Sequence, residues 1–308
     1  MPILQVTASE RAPVLRNQND LPDHALDSLL AGTGPVIIMI HGYKYLPETT
    51  HCPFDTILSL APRAGGRLSV SWPRHLGISE DAGCGIAFGW RARGSLKDAY
   101  GEAERAGAAL ARLIARISAR APEREIGVIA HSLGARVYLQ ALKSMPRIAT
   151  RAVLMTAAEF QGEAQTALAS PAGRLARVIN ITSRENDLFD WLFELCLPAP
   201  VGGPRALGQG LGAGAARWVD LQIDNSGVLQ TLGALGYRVP APTHRVCHWF
   251  PYMRTGLFDL YRDFFFGAPG RSFEYLASQL PAEPCRRWSR LLPRFQRQTP
   301  PPGPLASA

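Results

Sequence analysis

The chain has 308 residues, 46% of them hydrophobic and 19% charged, with a formal net charge of +8. That composition supplies a buried sheet with helices on both faces and excludes a long disordered chain. No apolar run reaches the ~20 residues of a membrane-spanning helix. Residues 1–13 lack the basic and apolar regions of a secretory signal, so the expected setting is cytoplasmic.

In chain order, residues 1–34 read as an N-terminal extension. Val36–Ile40 is apolar at every position, as a strand covered on both faces should be. Residues 67–72 alternate like a second strand. Ser95 and Asp98 have capping-box spacing, and Leu96, Tyr100, Ala103, Gly107, Leu110, Ile114 and Ile117 follow at helical steps. Residues 126–130 form a short apolar run, with a helix expected over 133–144 before Pro146. Strands follow at 152–158 and 177–182, and residues 188–197 are apolar on nearly every face. Residues 198–216 are rich in Gly and Pro; 218–223 alternate, 228–235 read as helical, and 256–266 form the last helix.

Strand and helix alternate, which predicts a mostly parallel sheet with right-handed crossovers. The pattern sets a main domain at 35–280, with 198–247 as an insertion over the carboxyl ends of the strands. Residues 281–308 form a basic, Pro-rich C-terminal tail. Its five arginines against Glu283 give 5 − 1 = +4, half the net charge. The tail is expected to be solvated rather than to bind nucleic acid. Five cysteines without C-x-x-C spacing, and histidines without H-E-x-x-H, point to reduced thiols and no zinc site.

Ala130-His131-Ser132-Leu133-Gly134 stands where a strand meets a helix. No other serine has Ala or Gly two residues before it and Gly two after. The segment resembles the nucleophile elbow of the α/β-hydrolase superfamily, with Ala130 in place of the first glycine. His41-Gly42-Tyr43, after the first apolar strand, is similar to the His-Gly turn of lipases and esterases. The resemblance covers roughly residues 35–266 and is nearest to bacterial esterase/lipase-like serine hydrolases. It implies an α/β-hydrolase fold with an insertion before the base histidine and Ser132 as nucleophile. The oxyanion donors are then the N–H groups of Leu133 and Tyr43, and His41 braces its turn.

The superfamily order, Ser then acid then His, leaves His248 and His244 as bases. His248 is preferred because a terminal helix follows it, and His131 should point elsewhere. Asp187, in the turn after 177–182, is the preferred acid over Glu159 and Asp224; Glu185 should be solvated. The implied activity is cleavage of a small-molecule carboxylic ester through an acyl-enzyme, with no cofactor or metal. Thioester hydrolysis or acyl transfer would use the same groups. A non-catalytic hydrolase-like binding protein is the alternative of a different class. The apolar residues at 188–193 and 249–266 are read first as core and second as an acyl pocket.

Overall fold

Val36–Ile40 (β3) alternates its side chains between two separate cores. Val36, Ile38 and Ile40 join one, Ile37 and Met39 the other, and all five are fully buried. A continuous apolar strand with period-2 geometry needs cover on both faces. The rest of the computed structural model follows from that requirement. It describes residues 3–10, 12–62, 70–78, 83–198, 203–212, 217–269, 272–281 and 284–291.

The strands are Ile3–Ser9 (β1), Ala12–Leu15 (β2), β3, Cys84–Gly89 (β4), Ile126–His131 (β5), Thr150–Met155 (β6), Arg177–Thr182 (β7) and Trp218–Gln222 (β8). They form one eight-stranded sheet in the order β2-β1-β4-β3-β5-β6-β7-β8. Only β2 runs antiparallel to its neighbour. The helices are Asp23–Leu30 (α1), Trp72–His75 (α2), Leu96–Arg120 (α3), Leu133–Ser144 (α4), Gln161–Ala169 (α5), Asp187–Cys196 (α6), Ser226–Ala234 (α7), Phe250–Met253 (α8), Leu257–Phe266 (α9) and Phe273–Gln279 (α10). Side chains of α1, α3, α4 and α5 fill one core, and those of α2, α7, α9 and α10 fill the other. No helix among the described residues is long and apolar enough to cross a membrane.

Several local expectations hold to within a residue or two. β7 runs over 177–182 and α4 over 133–144. The Ser95–Asp98 capping box closes the start of α3 with both of its bonds. Gly107 lets α3 pack against α4, because a Cβ there would lie 2.7 Å from Gln140 Cβ and 2.9 Å from Val137 O.

Other boundaries are redrawn. Residues 3–30, set aside as an extension, supply β1, β2 and α1, and β1 pairs with β4 from Ile3 to Thr7. Residues 198–247 are not all insertion, since β8 within them extends the sheet beside β7. The strand expected at 67–72 is absent over its described part, where Trp72 begins α2; residues 67–69 lie outside the described residues. The strand of that region is β4, whose glycine-rich sequence hides its period. α10 follows the helix that was expected to be last.

The start of the C-terminal segment is docked rather than solvated. Cys285 N donates to Gln222 Oε1 at 2.6 Å, and Arg287 pairs with Glu194 of α6 at 2.6 Å. Arg290 donates to the carbonyls of His244 and Pro242. The remainder, 292–308, lies outside the described residues.

Candidate active site

From β3 the chain passes to β4 on one side, and from β4 it crosses to β5 on the other side of β3. Ligands of open α/β sheets bind where the strand order reverses, beyond the carboxyl ends of the strands. A cavity of about 540 Å³ lies there. Ser132, His131, Thr156, Asn186, Asp190 and His248 are among its polar lining residues.

Ser132 joins β5 to α4 with φ 54° and ψ −125°, a backbone conformation that residues with a Cβ rarely adopt. Its N–H donates to Met155 O at 3.0 Å, and its carbonyl accepts from Ala135 and Ala158 N–H. These bonds hold the strained turn from both sides. The small neighbours are needed sterically. A Cβ on Gly134 would sit 2.7 Å from the carbonyl oxygens of Ile40 and His41, and one on Gly42 would sit 2.8 Å from Ser132 Cβ. Ala130 is fully buried within β5, so its one methyl is accommodated. The two motifs interlock: the turn after β3 rests on the turn after β5.

Tyr43 and Leu133 both line the cavity. Leu133 opens α4, where the first backbone N–H groups have no acceptor within the helix. His41 braces its turn and does not line the cavity. Its Nε2 accepts from Trp90 N at 3.1 Å, its Nδ1 donates to Gly42 O at 2.9 Å, and its ring stacks on Trp90. Burial lowers its pKa to about 4.

His248 reaches the cavity from the loop before α8. Its own carbonyl is anchored twice, accepting from Thr156 Oγ1 at 3.1 Å and from His131 Nε2 at 3.2 Å. His131 therefore does not simply point away, because its ring lies 4.7 Å from that of His248 and borders the cavity. Burial lowers the His131 pKa to about 4. Burial, with repulsion from His131, holds the His248 pKa well below the usual 6.5. Phe189 stacks on His248, with centroids 4.8 Å apart. His244, the other candidate base, is exposed, and its Nδ1 meets the hydroxyl of the adjacent Thr243 at 3.0 Å.

The partner of His248 differs from expectation. Nδ1 of His248 donates to Oδ1 of Asn186 at 2.7 Å, and Asn186 Nδ2 donates to Oδ1 of Asp190 at 2.8 Å. Asp187 Oδ2 instead accepts from Trp288 N at 2.7 Å. The reason is the turn after β7. Asn186 closes a 3-10 turn and Asp187 opens α6, so their side chains leave in different directions. The C-terminal segment then takes the carboxylate of Asp187.

The rival acids are engaged elsewhere. Glu159 is fully buried, bonded to Arg136 at 2.7 Å, Tyr100 Oη at 2.7 Å and Phe160 N at 2.9 Å. Asp224 pairs with Arg184 at 2.6 Å. Glu185 is buried rather than solvated and forms an ion pair with Arg254. Asp190 and Thr156 belong to the site but carry no motif of their own. Asp190's place one helical turn after Asn186 is the only hint in the sequence.

Burial raises the pKa of Asp190 to about 8, against the opposing pull of Arg287, while Asp187 and Glu194 add to the rise. Asp187 is raised to about 6 by burial, with the Trp288 N–H and Arg287 working the other way. Among the described residues, no group of His, Cys, Asp and Glu side chains could hold a metal ion.

Residues 23–171, just under half of the chain and including both turns, match a family model described as an alpha/beta hydrolase of unknown function (DUF900). The matched segment is alpha/beta-hydrolase sequence. Its sheet order and helical layers are those of an α/β-hydrolase fold. Among solved structures, that of MenH from S. aureus aligns over 61% of this chain and 84% of its own, at 9% identity and a TM-score of 0.32. No curated protein matches the sequence.

Proposed function

We propose that this α/β-hydrolase cleaves carboxylic esters of small molecules through an acyl-enzyme on Ser132. The observation that carries the reading is the backbone of Ser132, held at φ 54° on the turn from β5 to α4 and facing a cavity it shares with His248. Strain of this kind costs on the order of 1–3 kcal/mol and persists where the surrounding structure enforces it.

Ser132 Oγ attacks the ester carbonyl carbon while its proton passes to Nε2 of His248. The carbonyl oxygen becomes an oxyanion, for which the N–H groups of Tyr43 and Leu133 are the donors. Collapse breaks the bond to the alcohol oxygen, which leaves with the proton from His248. Water then repeats the sequence on the acyl-enzyme and releases the acid. His248 starts neutral, as a base must, because its pKa is lowered. Asn186 takes the orienting position that Asp187 was expected to fill.

Phe189, Leu192, Phe193, Leu96, Trp249 and Tyr252 give the cavity an apolar wall. Each buried methylene of an acyl chain is worth about 0.8 kcal/mol. Medium-chain esters are therefore the favoured substrates over acetates.

The test is labelling by a fluorescent fluorophosphonate, comparing wild type with Ser132→Ala. Labelling of the wild type alone supports an activated serine at this position. An unlabelled, folded wild type turns the reading toward a non-catalytic hydrolase-like binding protein.

A further inference from the structure

The hydrogen bonds around His248 leave one question of chemistry open: what decides which way the Asn186 amide faces. An asparagine can present either its oxygen or its NH₂ to an imidazole. With the oxygen inward, His248 keeps its proton on Nδ1, and Nε2 is free to accept from Ser132. With the NH₂ inward, the proton is forced to Nε2, and the ring cannot act as a base. The wrong tautomer of a catalytic histidine costs up to about 10⁴ in rate in serine proteases.

We infer that Asp190 is a positioning residue that holds the Asn186 amide oxygen toward His248 and so selects the tautomer able to accept a proton. This rests on the serine-hydrolase reading above. Asp190 sits one helical turn beyond Asn186, and its Oδ1 takes the Asn186 Nδ2 proton at 2.8 Å. Ionised, or carrying its proton on Oδ2, the carboxyl group offers Oδ1 only as an acceptor, which admits one orientation of the amide. Asp190 is itself held in place. Only 3% of it is exposed, and its carboxyl group packs against Gly208, where any Cβ would fall 2.1 Å from Oδ2.

Gly208 belongs to the 3-10 turn Leu207–Gln209, which is tied down by Leu207 N donating to Glu159 O at 2.7 Å and by Asn180 Nδ2 donating to Leu207 O at 3.2 Å. Asp190 Oδ2 has no hydrogen-bond partner within the described residues. A buried carboxyl group with an unpaired oxygen is costly to keep for packing alone. Its function in the relay accounts for it.

Two variants test the assignment, Asp190→Asn and the exchange Asn186→Asp with Asp190→Asn; Ser132→Ala is the labelling control and His248→Ala the control for the ring shifts. In Asp190→Asn the second amide can accept or donate, so both orientations of Asn186 become available. The exchange puts a carboxylate directly against His248 Nδ1 and lets the amide at 190 donate to it, with almost no change in volume.

The readouts are the fluorophosphonate labelling rate and the ¹⁵N shifts of the His248 ring, assigned by their loss in His248→Ala. We expect the wild type to hold the Nδ1–H tautomer. Asp190→Asn should mix the tautomers and label about 10–100-fold more slowly, and the exchange should return the rate to within about threefold. Asp190→Asn with the wild-type tautomer and rate overturns the inference. So does a folded exchange variant that stays as slow as Asp190→Asn. Should Asp190→Asn not fold, the exchange alone decides: a rate within about threefold of wild type supports the inference, and a folded exchange variant slower than wild type by about tenfold or more overturns it. Should the wild type not label at all, the serine-hydrolase reading fails, and the ring shifts still decide the role of Asp190 because they need no turnover.

Discussion

His248 Nδ1 lies 2.7 Å from Oδ1 of Asn186, so the group that meets the imidazole is an amide. Asp187, one residue later, spends its carboxylate on the backbone of Trp288. Removing the Asn186 amide should therefore matter more than removing the neighbouring charge. Asn186→Ala is expected to lower ester hydrolysis by about 10²–10³-fold. Asp187→Asn should stay within about threefold of wild type. Initial rates on a medium-chain p-nitrophenyl ester check this, and a reversed ranking would return the orienting position to Asp187.

Ser132→Gly separates chemistry from strain. Glycine adopts positive φ without penalty, so the variant should lose all activity yet be about 1 kcal/mol more stable than wild type. Urea denaturation measures the difference. A variant less stable than Ser132→Ala would show that the turn holds no strain at this residue.

Gly134→Ala should fail through packing. The added methyl would meet two backbone oxygens at 2.7 Å, and backbone cannot move aside as a side chain can. Destabilisation of at least about 2 kcal/mol is expected, with the turn after β3 pushed off the start of α4. Circular dichroism melting would detect it.

Glu159 is held in a buried ion pair with Arg136. Arg136→Met strands its carboxylate at a fully buried position and should cost about 3–5 kcal/mol. The matched pair Arg136→Met with Glu159→Gln should recover part of that loss. A double-mutant cycle with no coupling would contradict the assignment.

Stability should pass through a maximum near neutral pH. His41, His131 and His248 are buried with lowered pKa values, so the folded state binds fewer protons than the unfolded state below about 6.5, and stability falls as pH drops through that range. Asp190 has the opposite sign. Its folded pKa of about 8 exceeds the unfolded value near 4, so the folded state holds the extra proton in between, and stability falls as pH rises toward 8. Between about pH 6.5 and 8 that loss is on the order of 1 kcal/mol per pH unit. Asp190→Asn should flatten this limb while leaving the rise contributed by the histidines in place. A wild type equally stable at the two ends of that range would refute the raised pKa.

The parts of this protein legible in the sequence are those whose causes are local. The turn at Ser132 requires small residues at fixed offsets, and the strand at 36–40 must be covered twice because every side chain is apolar. The helix at Ser95 starts where its capping pair says it should. Tertiary structure decided the rest, because there several sequence choices were equally good locally. Asn186 and Asp187 share one turn; Asn186 faces His248, while the docked segment 284–291 takes the carboxylate of Asp187. Residues 3–15 carry ordinary strand patterns, and only the open edge of β4 makes them part of the sheet. A short-range rule sees the turn and the residue types in it. Which side chain faces which depends on partners as distant in the chain as Trp288 is from Asp187.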